Sequence, residues 1–397
     1  MRNRELADLC GSPGGPALMA AVAKVLVVGG GVGGLTASVA MRRQGIAVDL
    51  IEANQDHSVY GVGIIQPNNV LRALDKIGLA DACVARGGGF AGWRIFDERN
   101  EFIMDAPTSV TASPRHPPIN GITRPILQDI LLNAARDAGT AIRLGVTAVS
   151  MDDSGESVDV AFTDGVRDRY DFVVASDGLH SKIRHELFGD AATPHFIGQG
   201  AWRHNFERPS GMDWGRVYYG ANTKVGLVPM SPTLMYMFVV SHEPDNPRMS
   251  KDDLAPLMRE RLRGYTGLVG ELREQITDSS KVVYRPMEQL LLPAPWMKGR
   301  VIVIGDAAHA TTPHLAQGAA MAVEDAVLLG ELLGRDTDLA SALDEFMRRR
   351  FDRAKYVVDC SRQIAAWEIE QWTGIENPAA RPGPLLGEAT ELLMADF

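Results

Sequence analysis

Gly29, Gly31 and Gly34 stand at GxGxxG spacing directly after the apolar run 25–28, with Gly33 between the last two. Backbone free of side chains lets a pyrophosphate approach the amides of a helix N-terminus, where the peptide dipoles favour negative charge. Glu52 closes the next apolar run, residues 48–51, about 20 residues beyond the turn, the spacing at which an acid takes the hydroxyl pair of a ribose. This is the chemistry of a dinucleotide site, and NAD or FAD satisfies it equally. Two later strand-like runs also end in acids: residues 170–175 lead into Ser176-Asp177-Gly178, and residues 301–304 into Gly305-Asp306. Ligands of open α/β sheets lie beyond the carboxyl ends of the strands, so Asp306 and Asp177 are expected to serve one extended ligand. A loop with Pro313, Gln317 and Gly318 follows, then a helical pattern over residues 319–333.

The elements that must position these residues can be read in outline. Residues 24–52 have the order strand, glycine turn, helix, strand of a βαβ unit. Residues 61–69 read as a loop close to a flat ligand, and residues 70–77 as a short helix ended by Gly78. Arg124 opens a helix with Pro125 in its first turn, and Gln128 lies one turn on along the same face, either a clamp for a phosphate or ribityl chain or a solvated pair. From residue 196 to 292 the pattern changes to short alternating segments at 216–219, 226–229 and 235–240, followed by amphipathic helix over 251–274. A long charged amphipathic helix is expected over 344–370.

The expected fold class is therefore α/β. A Rossmann-like domain with a parallel sheet is built from residues 23–88, 119–193 and 282–335, and a smaller antiparallel-sheet substrate domain from 89–118 and 194–281. C-terminal helices are expected over 336–397. Residues 1–22, broken by Pro13, Gly14, Gly15 and Pro16, read as a flexible extension with Met19 as an alternative start.

The chain has 397 residues, 45% of them hydrophobic and 23% charged, with a formal net charge of −10. That charge repels nucleic acid and anionic membranes at long range and favours a small-molecule partner. Apolar stretches are interrupted before the roughly 18–20 residues that a bilayer span requires, so no membrane partner is expected. Cys10, Cys83 and Cys360 show neither a disulfide framework nor zinc-ligand spacing, as expected of a metal-free protein in a reducing cytoplasm.

Three separated elements, GGGVGG at 29–34, ASDGLHSKIR at 175–184, and GDAAHATTP with GAAMAVEDA within 305–326, occur together in this order. In them the chain resembles the single-component flavoprotein aromatic hydroxylases, the class of the para-hydroxybenzoate, salicylate and urate hydroxylases. The resemblance covers roughly residues 22–372. It implies that Gly29, Gly31, Gly33 and Gly34 cradle the FAD pyrophosphate, that Glu52 holds the adenosine ribose, and that Arg124 and Gln128 contact the phosphate and ribityl region. Asp306 would bond the ribityl chain, backbone at Gln317, Gly318 and Ala319 would face the flavin pyrimidine, and Pro313 would line the oxygen-reacting face. Asp177 belongs to an element serving both FAD and NAD(P)H. No second GxGxxG follows a strand, which suits NAD(P)H as a transient co-substrate.

The activity so implied is hydroxylation of a small phenolic, hydroxybenzoate-like or hydroxylated N-heteroaromatic compound with NAD(P)H and molecular oxygen, through a flavin C4a-hydroperoxide, in a protein compatible with a homodimer. Arg203, His204, Lys224, Tyr236 and His314 are the candidates for substrate contact. Tyr236 and Lys224 resemble the Tyr and basic residue of urate hydroxylase, with Lys here where that relative has Arg; His204 would be a general base, and His309 would pack beneath the flavin loop. The alternatives are an FAD-binding sensor without turnover and a flavin halogenase, although no WxWxIP element is present.

Overall fold

The computed structural model describes residues 21–56, 61–108 and 111–397. The expected N-terminal extension lies outside these up to residue 20. Its last two residues do not: Ala21 donates to the Leu333 carbonyl at 3.1 Å, and Val22 is buried in the core.

The first layer is a six-stranded sheet in the order Met297–Lys298, Val301–Val303, Phe172–Ala175, Lys24–Val28, Ala47–Glu52, Ala141–Leu144. All neighbours are parallel except the outermost hairpin of Met297–Lys298 with Val301–Val303. Helices cover both faces, so Val25, Leu26, Val27, Phe172, Val173 and Val174 are fully buried and these strands read as unbroken apolar runs. Helix Val32–Arg43 packs on helix Gly318–Leu333 so closely that a methyl group on Gly330 would lie 2.7 Å from Ala40 Cβ.

The second layer is a seven-stranded sheet in the order Val283–Gln289, His195–Glu207, Leu234–His242, Thr223–Pro229, Gly215–Tyr219, Gly92–Asp97, Phe102–Pro107. It is antiparallel apart from the pair Gly215–Tyr219 with Gly92–Asp97. Two expectations change here. Strand Val283–Gln289, assigned by sequence to the parallel-sheet domain, is an edge of this seven-stranded sheet through its pairing with His195–Glu207. Residues 63–67, read as loop, form a strand that pairs with Ile119–Thr123, which also pairs with Gly88–Phe90. The glycine-rich composition that suggested a loop instead allows contact between sheets: a Cβ on Gly63 would meet the Tyr236 ring at 2.1 Å, one on Gly88 the Met230 and Pro229 backbone at 3.0 Å, and one on Gly121 the Pro229 carbonyl at 2.0 Å.

The third structural feature is polar. Helix Gly318–Leu333 is apolar except for Glu324, Asp325 and Glu331, and the first two are fully buried. Arg350, from the long helix Leu339–Trp372, donates from Nε to Asp325 Oδ1 and from Nη1 to Glu324 Oε2, both at 2.7 Å. Arg353 adds two bonds to Glu324 at 2.8 and 2.9 Å, and Asn69 one at 2.9 Å. Asn69 also exchanges amide bonds with Gln317, and Asp325 Oδ2 accepts from the Gly305 amide and lies 2.6 Å from His309 Nε2. Burial raises the cost of the Asp325 charge, but His309 and Arg350 outweigh it and hold its pKa at about 2. His309 thus packs beneath the loop, as expected. Replacing Arg350 with Ala leaves two buried carboxylates short of a cation and should cost ~3–5 kcal/mol of stability. Urea unfolding measures this, and a loss below ~1 kcal/mol would contradict a structural role for the network.

Candidate active site

The carboxyl ends of the parallel strands converge on one cleft. Gly29, at φ +107°, ends Lys24–Val28, and a Cβ there would strike the Ser176 carbonyl at 2.3 Å. Gly34 is pressed to the turn itself, since its Cβ would lie 1.9 Å from the Gly29 carbonyl oxygen, and Gly33 faces Ser176 Oγ at 2.6 Å. Gly31 differs. It is exposed, has an ordinary φ of −79°, and a Cβ there would meet no atom of the described residues within 4 Å. Nothing in the protein demands a glycine at 31, whereas a phosphate resting on the turn would.

Around the turn, Glu52 Oε2 accepts from the Gly30 amide at 2.7 Å and Oε1 from the Asn54 amide at 2.8 Å, so the acid both closes the turn and sits at its rim. Gln128 is buried and donates to the Gly30 carbonyl at 2.7 Å; it braces the turn from helix Arg124–Asp137. Asp177 Oδ2 accepts from the Lys182 and Ile183 amides at 3.1 and 3.4 Å, capping helix Lys182–Phe188, while its Oδ1 is buried without a hydrogen-bond partner. Arg184, on that helix, donates to the Ala307 carbonyl at 3.1 Å and so ties the second motif to the third.

Asp306 follows Gly305, which adopts φ +61°. Its carboxylate is open to solvent although it lies deep among protein atoms, so it lines the cleft rather than the outer surface. Burial pushes its pKa up against the pull of His309 and Arg124. Ala316 bends the chain at φ +55°, an unusual conformation for a residue with a Cβ, and brings the start of helix Gly318–Leu333 to the same cleft. The first amide claimed within that helix belongs to Met321, bonded to the Gln317 carbonyl at 2.8 Å, so those of Gly318, Ala319 and Ala320 remain available. Turn, accessible acid and free helix terminus form a cradle whose donors and shape fit an extended dinucleotide such as FAD.

The seven-stranded sheet gathers several of the candidate residues on one face. Residues opposite each other in antiparallel strands share a face, and alternate residues share it along a strand. Arg203 lies opposite Phe238, Asn205 opposite Tyr236, Val228 opposite Tyr236 and Lys224 opposite Val240. Arg203, Lys224 and Tyr236 are therefore on one face. Asn205 Nδ2 donates to the Gly61 carbonyl at 2.7 Å, which fastens that face to the cradle. Burial pushes the Tyr236 phenol up to about 12, so at neutral pH it is a hydrogen-bond donor.

His204 is not with them. As the neighbour of Arg203 on a strand it points to the opposite face, with Met237 across from it and its ring 4.5 Å from that of Phe206. The sheet separates it from Tyr236, so the expected general base at 204 is withdrawn. Burial also lowers its pKa and favours the neutral ring.

His314 and Lys224 meet at a residue the sequence reading did not single out. Glu368, on the long helix, forms a short ion pair with Lys224, accepts from Gln199 Nε2 at 3.1 Å, and lies 3.1 Å from His314 Nε2. His314 is wholly buried there, with Nδ1 2.8 Å from Thr312 Oγ1, so the residue after Pro313 anchors the flavin-loop candidate to the C-terminal helix. One signal was present: Glu368 continues the apolar stripe of Ile364 and Ala365. Asn69, Arg350 and Arg353 were missed for the same reason, that burial of a polar residue is set by a distant partner.

A dinucleotide cradle with acid-tipped strands, roofed by an antiparallel sheet carrying a phenol and cations, defines a flavoprotein with a separate substrate surface. Residues 22–361 match the FAD binding domain family, and the chain belongs to it, among FAD-dependent monooxygenases of aromatic-hydroxylase type. It is 33% identical over 375 residues to YetM of Bacillus subtilis, a provisionally named FAD-dependent monooxygenase, covering 94% of this chain and 99% of that one. It is 31% identical to the 2-heptyl-3-hydroxy-4(1H)-quinolone synthase of Pseudomonas aeruginosa over 91% of this chain and 94% of that one. The crystal structure of Klebsiella pneumoniae HpxO with FAD and uric acid superposes with a TM-score of 0.81 at 25% identity, covering 94% and 97% of the two chains.

Two predictions follow from the geometry. Gly31→Ala should leave the stability of the apoprotein within ~1 kcal/mol while weakening FAD retention, whereas Gly34→Ala should destabilise the apoprotein itself by ~1–3 kcal/mol. Thermal unfolding with and without FAD separates the two, and equal effects on the apoprotein would contradict the reading of Gly31. The second concerns acid. Burial opposes the Glu368 charge, but the Lys224 cation and a hydrogen bond with His314 hold its pKa at about 2 instead of the ordinary 4.5, while burial lowers that of His314. Stability from Glu368 is then complete above pH 4.5 and lost as pH falls towards 2, and that from neutral His314 weakens as pH falls below 6.5. Glu368→Gln should flatten the lower part of the stability-pH curve, and an unchanged curve would contradict the assignment.

Proposed function

We propose that the chain hydroxylates a small phenolic or hydroxylated N-heteroaromatic ring, using NAD(P)H and molecular oxygen. The observation that carries this reading is the shared face of Arg203, Lys224 and Tyr236 opposite the FAD cradle. Named activities of relatives support the ring class: a quinolone synthase and urate hydroxylases act, by name, on nitrogen-containing rings.

In this reading Gly29 to Gly34 and Arg124 receive the pyrophosphate, Glu52 the adenosine ribose, Asp306 the ribityl hydroxyls, and the Gly318–Ala320 amides the electron-rich edge of the flavin pyrimidine. FAD held there would supply the redox chemistry, with NAD(P)H as reductant and molecular oxygen as the source of the atom transferred to an electron-rich ring carbon and of the water released. The chain's own groups do the rest. Tyr236, neutral at physiological pH, donates a hydrogen bond to the substrate oxygen and so orients the ring. A guanidinium on the same face favours the deprotonated, more nucleophilic form of a phenol. The close seat of Gly63 on the Tyr236 ring leaves no room for water between the sheets at that point.

The test is oxygen consumption by the holoenzyme with NADH or NADPH and a panel of phenols and hydroxylated N-heteroaromatics. At least one ring should accelerate flavin reduction and oxygen uptake and appear as a hydroxylated product; no ligand-stimulated oxygen uptake across the panel would reject the hydroxylase. Tyr236→Phe should retain FAD but lose about 10-fold or more in hydroxylated product per NAD(P)H, the range for one lost hydrogen bond to a charged group. Unchanged coupling would remove Tyr236 from the site.

A further inference from the structure

The three polar groups on the substrate face are not electrically equivalent. Lys224 and Glu368 side chains retain only 12% and 10% of their exposure, and their charges cancel in a direct ion pair that also engages His314 and Gln199. A cation so paired offers little net field to a ligand, and drawing Lys224 away would leave the Glu368 carboxylate buried and uncompensated. Arg203 is in the opposite situation. It is half-buried, it makes no hydrogen bond or ion pair with any described residue, and Arg124 and Arg285 act on it as like charges. Tyr236 beside it is a neutral phenol. A half-buried guanidinium that faces like charges and has no anion beside it among the described residues is free to take one from a ligand.

We infer that Arg203, and not Lys224, is the residue that selects the substrate, by pairing with an anionic group such as a ring carboxylate or an acidic ring hydroxyl, while Lys224, Glu368 and His314 form a neutralised bridge that positions the flavin loop. The inference rests on the hydroxylase reading for the place of the substrate, and it goes beyond it in dividing the cations by role. Two observations carry it independently. The register puts Arg203 on the Tyr236 face, within reach of a ring held by that phenol. The Glu368 bridge joins three parts of the chain, the sheet through Lys224 and Gln199, the loop through His314 and the long helix through Glu368 itself, which is the connectivity of a brace. The planar fork of Arg203 also matches a carboxylate in two parallel bonds, which an ammonium cannot do.

The experiment uses the FAD-loaded protein and pairs of near-isosteric ligands, hydroxybenzoates and hydroxypyridine carboxylates against their carboxamides, with dissociation constants read from the perturbation of flavin absorbance. The native protein should bind at least one carboxylate about 10- to 100-fold more tightly than its amide, the range for a charge-assisted hydrogen bond. Arg203→Gln should erase that preference with FAD still bound, Arg203→Lys should restore part of it, and Lys224→Gln should keep it. The inference is overturned if the native protein shows no preference or binds no carboxylate of the panel, if the preference survives Arg203→Gln, if Lys224→Gln is the variant that erases it, or if Arg203→Gln releases FAD, which would make the cofactor the anion that Arg203 serves. Product formation from a neutral phenol, measured alongside, keeps the hydroxylase reading separate: it stands or falls on turnover, whichever residue holds the anion.

Discussion

Two carboxylates buried side by side on an apolar helix constrain most of the cofactor half of this molecule. Glu324 and Asp325 cannot be desolvated as charges without cations and donors at hydrogen-bond distance. The chain meets that demand from three places: Arg350 and Arg353 on the long helix, Asn69 on helix Asn68–Lys76, and the Gly305 amide with His309 beyond the end of strand Val301–Val303. Because the donors come from three different segments, satisfying the two acids also fixes those segments relative to one another. The cleft edge at Asp306 and the helix terminus at Gly318 are the two ends of the region held in this way. A buried ionic network is a poor source of net stability, and its effect here is on position: it holds the polar segment after strand Val301–Val303 in one place.

The second half depends on close approach. Glycines at 63, 88 and 121 let a three-stranded sheet lie directly on the substrate sheet at Tyr236, Met230 and Pro229, where any larger residue would force the layers apart. The substrate face is therefore not a surface with a separate cover but the inner wall of a sandwich, and the ionisable groups on that wall feel a low-dielectric setting. This raises the Tyr236 phenol further above its ordinary range, and the distinction between Lys224, paired, and Arg203, without a partner among the described residues, matters more than their formal charges suggest.

The cofactor half was largely legible in the sequence because its signals are local. A strand followed by GxGxxG, an acid at the next strand end, and two further acid-tipped strands each occupy a few consecutive residues, and the structure brings them to one cleft. The loop read at residues 61–69 was wrong for an instructive reason: Gly61 and Gly63 suggested chain freedom, whereas Gly63 serves a contact with a ring 173 residues away in sequence. His204 failed through alternation, since one step along a strand from Arg203 inverts the face, and nothing local says which of two adjacent polar residues looks inward. Glu368 and Arg350 were illegible individually because a buried charge is recognisable only with its partner, and those partners are supplied by helix packing.

The central claim is that the wall carrying Arg203 and Tyr236 holds an aromatic ring for oxygen transfer from the bound flavin. Mass spectrometry of the product formed by the holoenzyme with NAD(P)H under isotopically labelled oxygen, in unlabelled water, tests it most directly. The account predicts a ring-hydroxylated product carrying one labelled atom drawn from the gas. A product whose new oxygen comes from water, or turnover that yields only hydrogen peroxide with every ring of the panel recovered unchanged, would contradict it.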